Sequence, residues 1–134
     1  PNIVAVKEAS GSLDQVSEML TTCKIDVLSG DDSLTLPMMS VGGCGVISVV
    51  ANVVPHKIAA LTRAVFKGDF STAEQLHREL YPLCRAMFIE TNPIPVKTAL
   101  ALMGKIKEAF RLPLVPMKPE NKLKLKHALA PFMH

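Results

Sequence analysis

Residues 3–11 read IVAVKEASG, an apolar, partly β-branched run that ends on a lysine. A continuous apolar run of this length predicts a strand over residues 3–7, buried on both faces, followed by a loop through Gly11. Side chains alternate along a strand, so Ile3, Ala5 and Lys7 share one face while Val4 and Val6 share the other. The residues alone leave two readings of Lys7 open. It is an ordinary lysine that snorkels from a strand end, or an inward amine whose poor solvation disfavours the ammonium form and makes it a nucleophile for a carbonyl carbon.

The pattern that begins at this strand recurs twice. A helix is expected from Ser12 to about Thr22, where Ser12 and Gln15 fit a capping box and Leu13, Val16, Met19, Leu20 and Cys23 fall on one face. A second round places Val27 and Leu28 in a strand, SGDD in a loop and a helix over residues 33–41, stopped by Gly42 and Gly43. In that loop Asp32 is assigned to capping the helix, with Asp31 as the alternative. The third round takes GVISVV, residues 45–50, as a strand and Pro55–Lys67 as a helix that Gly68 closes. Three successive βα units call for a parallel sheet with helical cover.

Beyond Gly68 the pattern becomes helical. A long helix is expected over residues 71–90, with Ala73, Leu76, Leu80, Leu83, Cys84 and Met87 inward and a kink at Pro82. Shorter helices follow over residues 95–103, stopped by Gly104, and over residues 119–130, where Lys122, Lys124 and Lys126 form a solvated face. The chain thus divides into 1–68, an α/β part, and 69–134, a helical part. A three-stranded parallel sheet leaves two edges unpaired. With a chain that opens on Pro1 and enters a strand at once, this predicts a piece of a larger polypeptide.

Composition narrows the chemistry. The 134 residues are 49% apolar and 20% charged with a formal charge of +3, within the range of globular proteins. One tyrosine, five phenylalanines and no tryptophan accompany dispersed basic residues, which argues against a nucleic-acid footprint. No apolar run approaches the roughly 20 residues needed to cross a bilayer. Cys23, Cys44 and Cys84 lack CxxC pairing and read as reduced, mostly buried thiols. His56, His77, His127 and His134 lack ligand spacing, so no metal site is expected. A cytoplasmic location is expected, with a plastid open if a targeting segment precedes the chain.

Four ordered blocks carry a resemblance: VAVKEASG (4–11), LSGDDSLTLPMMSVGGCGVISVVANVVP (28–55), GDFSTAEQLHRELYPL (68–83) and NPIPVKTALALMG (92–104). Together they resemble the dihydrodipicolinate synthase family of lysine-dependent pyruvate aldolases. The resemblance implies the last three βα units, strands six to eight, of a (β/α)8 TIM barrel, followed by a C-terminal helical domain. Lys7 matches the family's Schiff-base lysine, Gly30 a small residue lining the pocket beside it, and Ile47 a residue whose backbone carbonyl lies near the lysine nitrogen. The implied reaction condenses pyruvate with aspartate 4-semialdehyde without metal or organic cofactor, in a homotetramer. The family's proton-shuttling tyrosines and threonine, and its arginine for the second substrate, fall in units that this chain lacks. Tyr81 does not match the catalytic tyrosine, so the chain alone is expected to be inactive. Two alternatives stand beside this reading: an N-acetylneuraminate lyase-like aldolase, and a non-catalytic remnant or oligomerisation module.

Overall fold

The computed structural model describes residues 2–133; Pro1 and His134, and the expectations placed on them, lie outside the described residues. Three parallel strands, β1 (Ala5–Glu8), β2 (Asp26–Ser29) and β3 (Gly45–Val46), form one sheet in the order β1-β2-β3. Helices α1 (Leu13–Thr22), α2 (Thr35–Ser40) and α3 (Pro55–Phe66) follow the strands in turn. The chain then continues through α4 (Phe70–Ala86), α5 (Ile94–Leu102) and α6 (Pro119–Leu129). The alternation of strand and helix is the one expected, because each strand is a short apolar run bounded by turn residues.

One face of the sheet is covered. Val27 packs with Val16 of α1 and Met38 of α2, and Val6, Met19, Leu20 and Leu34 close around them. The opposite face stays open, with Lys7 exposed and Ile47 47% exposed. The expectation of a first strand buried on both faces is therefore corrected. Among the described residues β1 has a single neighbour, and Ile3 and Val4 just before it remain 79% and 70% exposed. Among the described residues nothing pairs with that edge.

The larger core begins at the end of the sheet and runs through every helix from α3 onward. Val50, Val53 and Val54 lead into Ile58 and Leu61 of α3, which meet Leu80, Leu83, Cys84 and Met87, then Ile94 and Ala99 of α5 and Leu125 and Leu129 of α6. The inward positions expected of α4 are those that pack, and the helix continues through Pro82. It starts one residue early because Asp69 caps it, accepting from Thr72 N at 3.1 Å. α3 ends as its sequence requires. Gly68 adopts φ +72°, its N–H donates to Val65 O, and Asp69 N donates to Ala64 O, which together satisfy the last free carbonyls.

Several local expectations change. Ser12 caps α1 by accepting from Gln15 N at 3.2 Å, yet the Gln15 side chain turns away to Glu8 rather than completing a capping box. Cys23 lies just past α1 and is exposed, Cys44 is half-buried, and only Cys84 is buried. Lys122 leaves the solvated face of α6 to pair with Glu108 at 2.6 Å, and Thr98 also donates to that carboxylate. Glu90 accepts from Lys118 N and Asn121 Nδ2, which ties the start of α6 to the segment after α4. These polar ties hold the extended segment before α6, which has no ladder of its own.

Leu83, fully buried in the larger core, and Leu123, 55% exposed, provide a contrast. Leu83→Ala should lower the unfolding free energy by about 3 kcal/mol. Leu123→Ala should change it by less than about 0.5 kcal/mol. Urea unfolding followed by circular dichroism reads both, and equal losses would contradict this placement of the core.

Candidate active site

The carboxyl ends of the three strands form one rim, because parallel strands deliver their following loops to the same side. Lys7 pairs with Leu28 and Leu28 with Gly45, so these three share a row across the sheet. Two residues further on, Ala9, Gly30 and Ile47 follow on the same open face. The structure thus brings Lys7 and Gly30 into contact and sets Ile47 one strand beyond.

Gly30 is held closely against the first strand. Its N–H donates to Glu8 O at 2.6 Å, and a Cβ built there would lie 2.7 Å from Ala9 Cβ and 3.0 Å from Lys7 Cε. Any larger residue would have to displace the lysine side chain or the β1 backbone. Ile47 is fixed through its own N–H, which donates to Ser29 O at 2.8 Å. Lys7 itself is exposed, so of the two readings left open for it the chain by itself shows the solvated strand-end lysine. The open face and the free edge of β1 account for it.

On the covered face, behind Lys7, Glu8 is 4% exposed. Its Oε1 accepts from Ser10 N at 2.7 Å and from Gln15 Nε2 at 3.5 Å, fixing the turn out of β1. Its Oε2 is buried without a partner among the described residues. Neither feature was legible in the sequence, where Glu8 is simply the first residue of the loop after the strand.

The second loop reverses the assignment of its two aspartates. Asp31 caps the single 3-10 turn Asp32–Leu34, accepting from Ser33 N at 3.0 Å and from Ser33 Oγ at 2.9 Å. Asp32 is buried and reaches across the rim instead. Its Oδ1 accepts from Ser48 Oγ, and its Oδ2 accepts from Val49 N at 2.9 Å and Val50 N at 3.2 Å. Ser48 Oγ in turn accepts from Ala51 N at 2.8 Å. β3 is only two residues long, against the six expected, because the chain turns at Ser48 onto this carboxylate.

Burial raises the Asp32 carboxyl above its ordinary value, and the donors from Ser48, Val50 and Val49 offset only part of that. The Cys84 thiol, beneath the loop, is pushed up to about 12 by burial and by the nearby charges of Asp32 and Asp31. It is an inert core thiol rather than a nucleophile.

The Asp32 shift fixes a sign. A carboxyl raised in the folded state binds its proton more tightly there than in the unfolded chain, so its contribution is greatest below 3.8, the ordinary value, and is lost as pH rises through the folded value. Relative to Asp32→Asn, the wild-type chain should therefore lose stability as pH climbs from about 4 through the carboxylate range. Urea midpoints measured at a series of pH values check it, and a constant difference would contradict it.

Comparison with known proteins places this geometry. The model of the Dihydrodipicolinate synthetase family matches residues 1–131. The chain is 57% identical over 132 residues to a 4-hydroxy-tetrahydrodipicolinate synthase of Oleidesulfovibrio alaskensis, a match covering 97% of this chain and 45% of that protein. It is 60% identical over 126 residues to the enzyme of that name from Geobacter sulfurreducens, covering 92% and 43% respectively. The crystal structure of dihydrodipicolinate synthase from Aquifex aeolicus superposes with a TM-score of 0.94 at 50% identity, over 98% of this chain and 45% of that one. The chain thus spans a little under half the length of these relatives. With its α/β fold and its sequence in agreement, the chain belongs to the dihydrodipicolinate synthetase family.

Proposed function

We propose that this chain is the C-terminal part of a 4-hydroxy-tetrahydrodipicolinate synthase, in which Lys7 forms a Schiff base with pyruvate. The observation that carries the reading is the seat of Lys7: a lysine at the carboxyl end of a parallel strand, against a glycine that leaves no room for a side chain. In the complete protein, residues 1–68 form the last three units of a (β/α)8 barrel and residues 69–134 a C-terminal helical domain. Preceding strands pair with the free edges of β1 and β3 and enclose the open face. Lys7 then leaves bulk water and its neutral amine becomes accessible.

The chemistry follows from that amine. Its lone pair attacks the ketone carbon of pyruvate to give a carbinolamine, which loses water to an iminium. The iminium withdraws electrons from the adjacent methyl group, which gives up a proton to leave an enamine. The enamine carbon attacks the aldehyde of aspartate 4-semialdehyde, a carbon–carbon bond forms, and the aldehyde oxygen takes a proton. The substrate's own amine next attacks the iminium carbon and displaces Lys7, closing the ring. The imine is the electron sink, so neither metal nor organic cofactor is required. Gly30 keeps the pocket beside the lysine clear, and the carbonyl of Ile47 accepts from the lysine nitrogen. The groups that move protons belong to the preceding units, so the chain alone is inactive. The complete enzyme is a homotetramer.

Incubation of the complete polypeptide with pyruvate and borohydride should leave a reduced pyruvyl adduct on Lys7, located by peptide mass spectrometry. A complete protein that condenses its substrates without labelling Lys7 would overturn the reading. Gly30→Ala places a methyl group against Lys7 Cε and Ala9, and should slow adduct formation by roughly tenfold or more. An unchanged rate would show that the close approach is irrelevant to the amine.

A further inference from the structure

We propose that Asp32 is a positioning residue for the reaction at Lys7, acting by clamping the peptide between Ile47 and Ser48. This rests on the Schiff-base reading above. β3 ends at Val46, so one ladder bond, from Ile47 N to Ser29 O, reaches the residue whose carbonyl the Schiff-base reading sets against the lysine. The strand is too short to hold its own end.

Asp32 supplies the missing support from the other side of that peptide. Ser48 Oγ, Val49 N and Val50 N all donate to its two oxygens, so the Ile47 carbonyl lies between Ser29 O upstream and Asp32 downstream. The geometry asks for a carboxylate. The two backbone N–H groups fall on Oδ2 and the hydroxyl donates to Oδ1; an amide that kept both N–H groups would turn its own donor toward Ser48 Oγ, which already accepts from Ala51 N, and would leave the hydroxyl proton without this acceptor. The capping of the 3-10 turn is already done by Asp31, so Asp32 is free for this task. Its burial, at 4% exposure, is costly for a carboxylate that served only as a turn residue. The carbonyl it steadies accepts from the lysine nitrogen as positive charge develops there, where a misplacement of about 1 Å costs up to about a hundredfold in rate.

The test compares Asp32→Asn, Ser48→Ala and Ser48→Thr in the complete polypeptide, with Leu83→Ala as a control that lowers stability far from the rim. The rate of borohydride-trapped adduct on Lys7 and the kcat and KM for pyruvate are measured alongside thermal unfolding. Asp32→Asn and Ser48→Ala should each slow trapping and lower kcat by roughly tenfold or more. Ser48→Thr, which keeps the hydroxyl, should retain the wild-type rate, as should folded Leu83→Ala. If Asp32→Asn does not fold, the Ser48 pair decides. Trapping at the wild-type rate in Ser48→Ala, or an equal slowing in Leu83→Ala, would overturn the positioning role while leaving the Schiff base intact. Absence of any adduct on Lys7 in the wild-type protein would overturn the Schiff-base reading itself.

Discussion

The carboxylate of Asp32, withdrawn from water and aimed at Ser48, Val49 and Val50, decides where the third strand stops and how the rim is assembled. A parallel sheet holds its strands by evenly spaced ladder bonds, but a two-residue strand offers very few. The side chain takes over where the ladder ends. By joining the loop after β2 to the loop after β3, it makes two separate connections behave as one wall of the site. Burial opposes its charge, and three donors answer that cost only in part.

What lies beneath the rim explains why the wall stays in place. Val50, immediately after the clamped segment, opens the larger core, which continues without a break through α3, α4, α5 and α6. The helical half of the chain is thus packed directly under the loops that follow β2 and β3. Cys84 sits at that junction, under both aspartates, with its thiol held neutral by its surroundings. Gly30 contributes the complementary constraint on the open face, where backbone of two strands and the stem of Lys7 meet with no space for a Cβ. One face of the sheet is therefore committed to packing and the other left open.

Much of this was legible in the residues. The βα rhythm follows from apolar runs separated by turn residues, and the inward positions of α4 follow from a period of 3.6, because both report local backbone geometry. Gly68 stops α3 for the same reason. Features that depend on contacts distant in sequence were not legible. Asp32 looks the better cap on paper, and only the contact with Ser48, sixteen residues on, draws it away and leaves the capping to Asp31. The length of β3 hangs on the same contact, since VISVV is as β-prone as any strand in the chain. Lys122 looks like one of three equivalent lysines until Glu108 is seen beside it. Exposure of Lys7 and of Ile3 and Val4 goes with a sheet edge left unpaired among the described residues, which the count of three βα units had indicated although periodicity within one strand could not. The site residues other than Lys7 came from the family resemblance rather than from residue chemistry, because a glycine and an isoleucine carry no chemical signal of their own.

On the proposed reading the open face of this sheet seats a nucleophilic lysine between Gly30 and Ile47. A crystal structure of the complete polypeptide grown with pyruvate tests it most directly. The account predicts continuous density from Lys7 Nζ to the second carbon of a three-carbon acid, with strands paired along both free edges of the sheet. Pyruvate bound elsewhere, with Lys7 unmodified and turned away from Gly30, would contradict it.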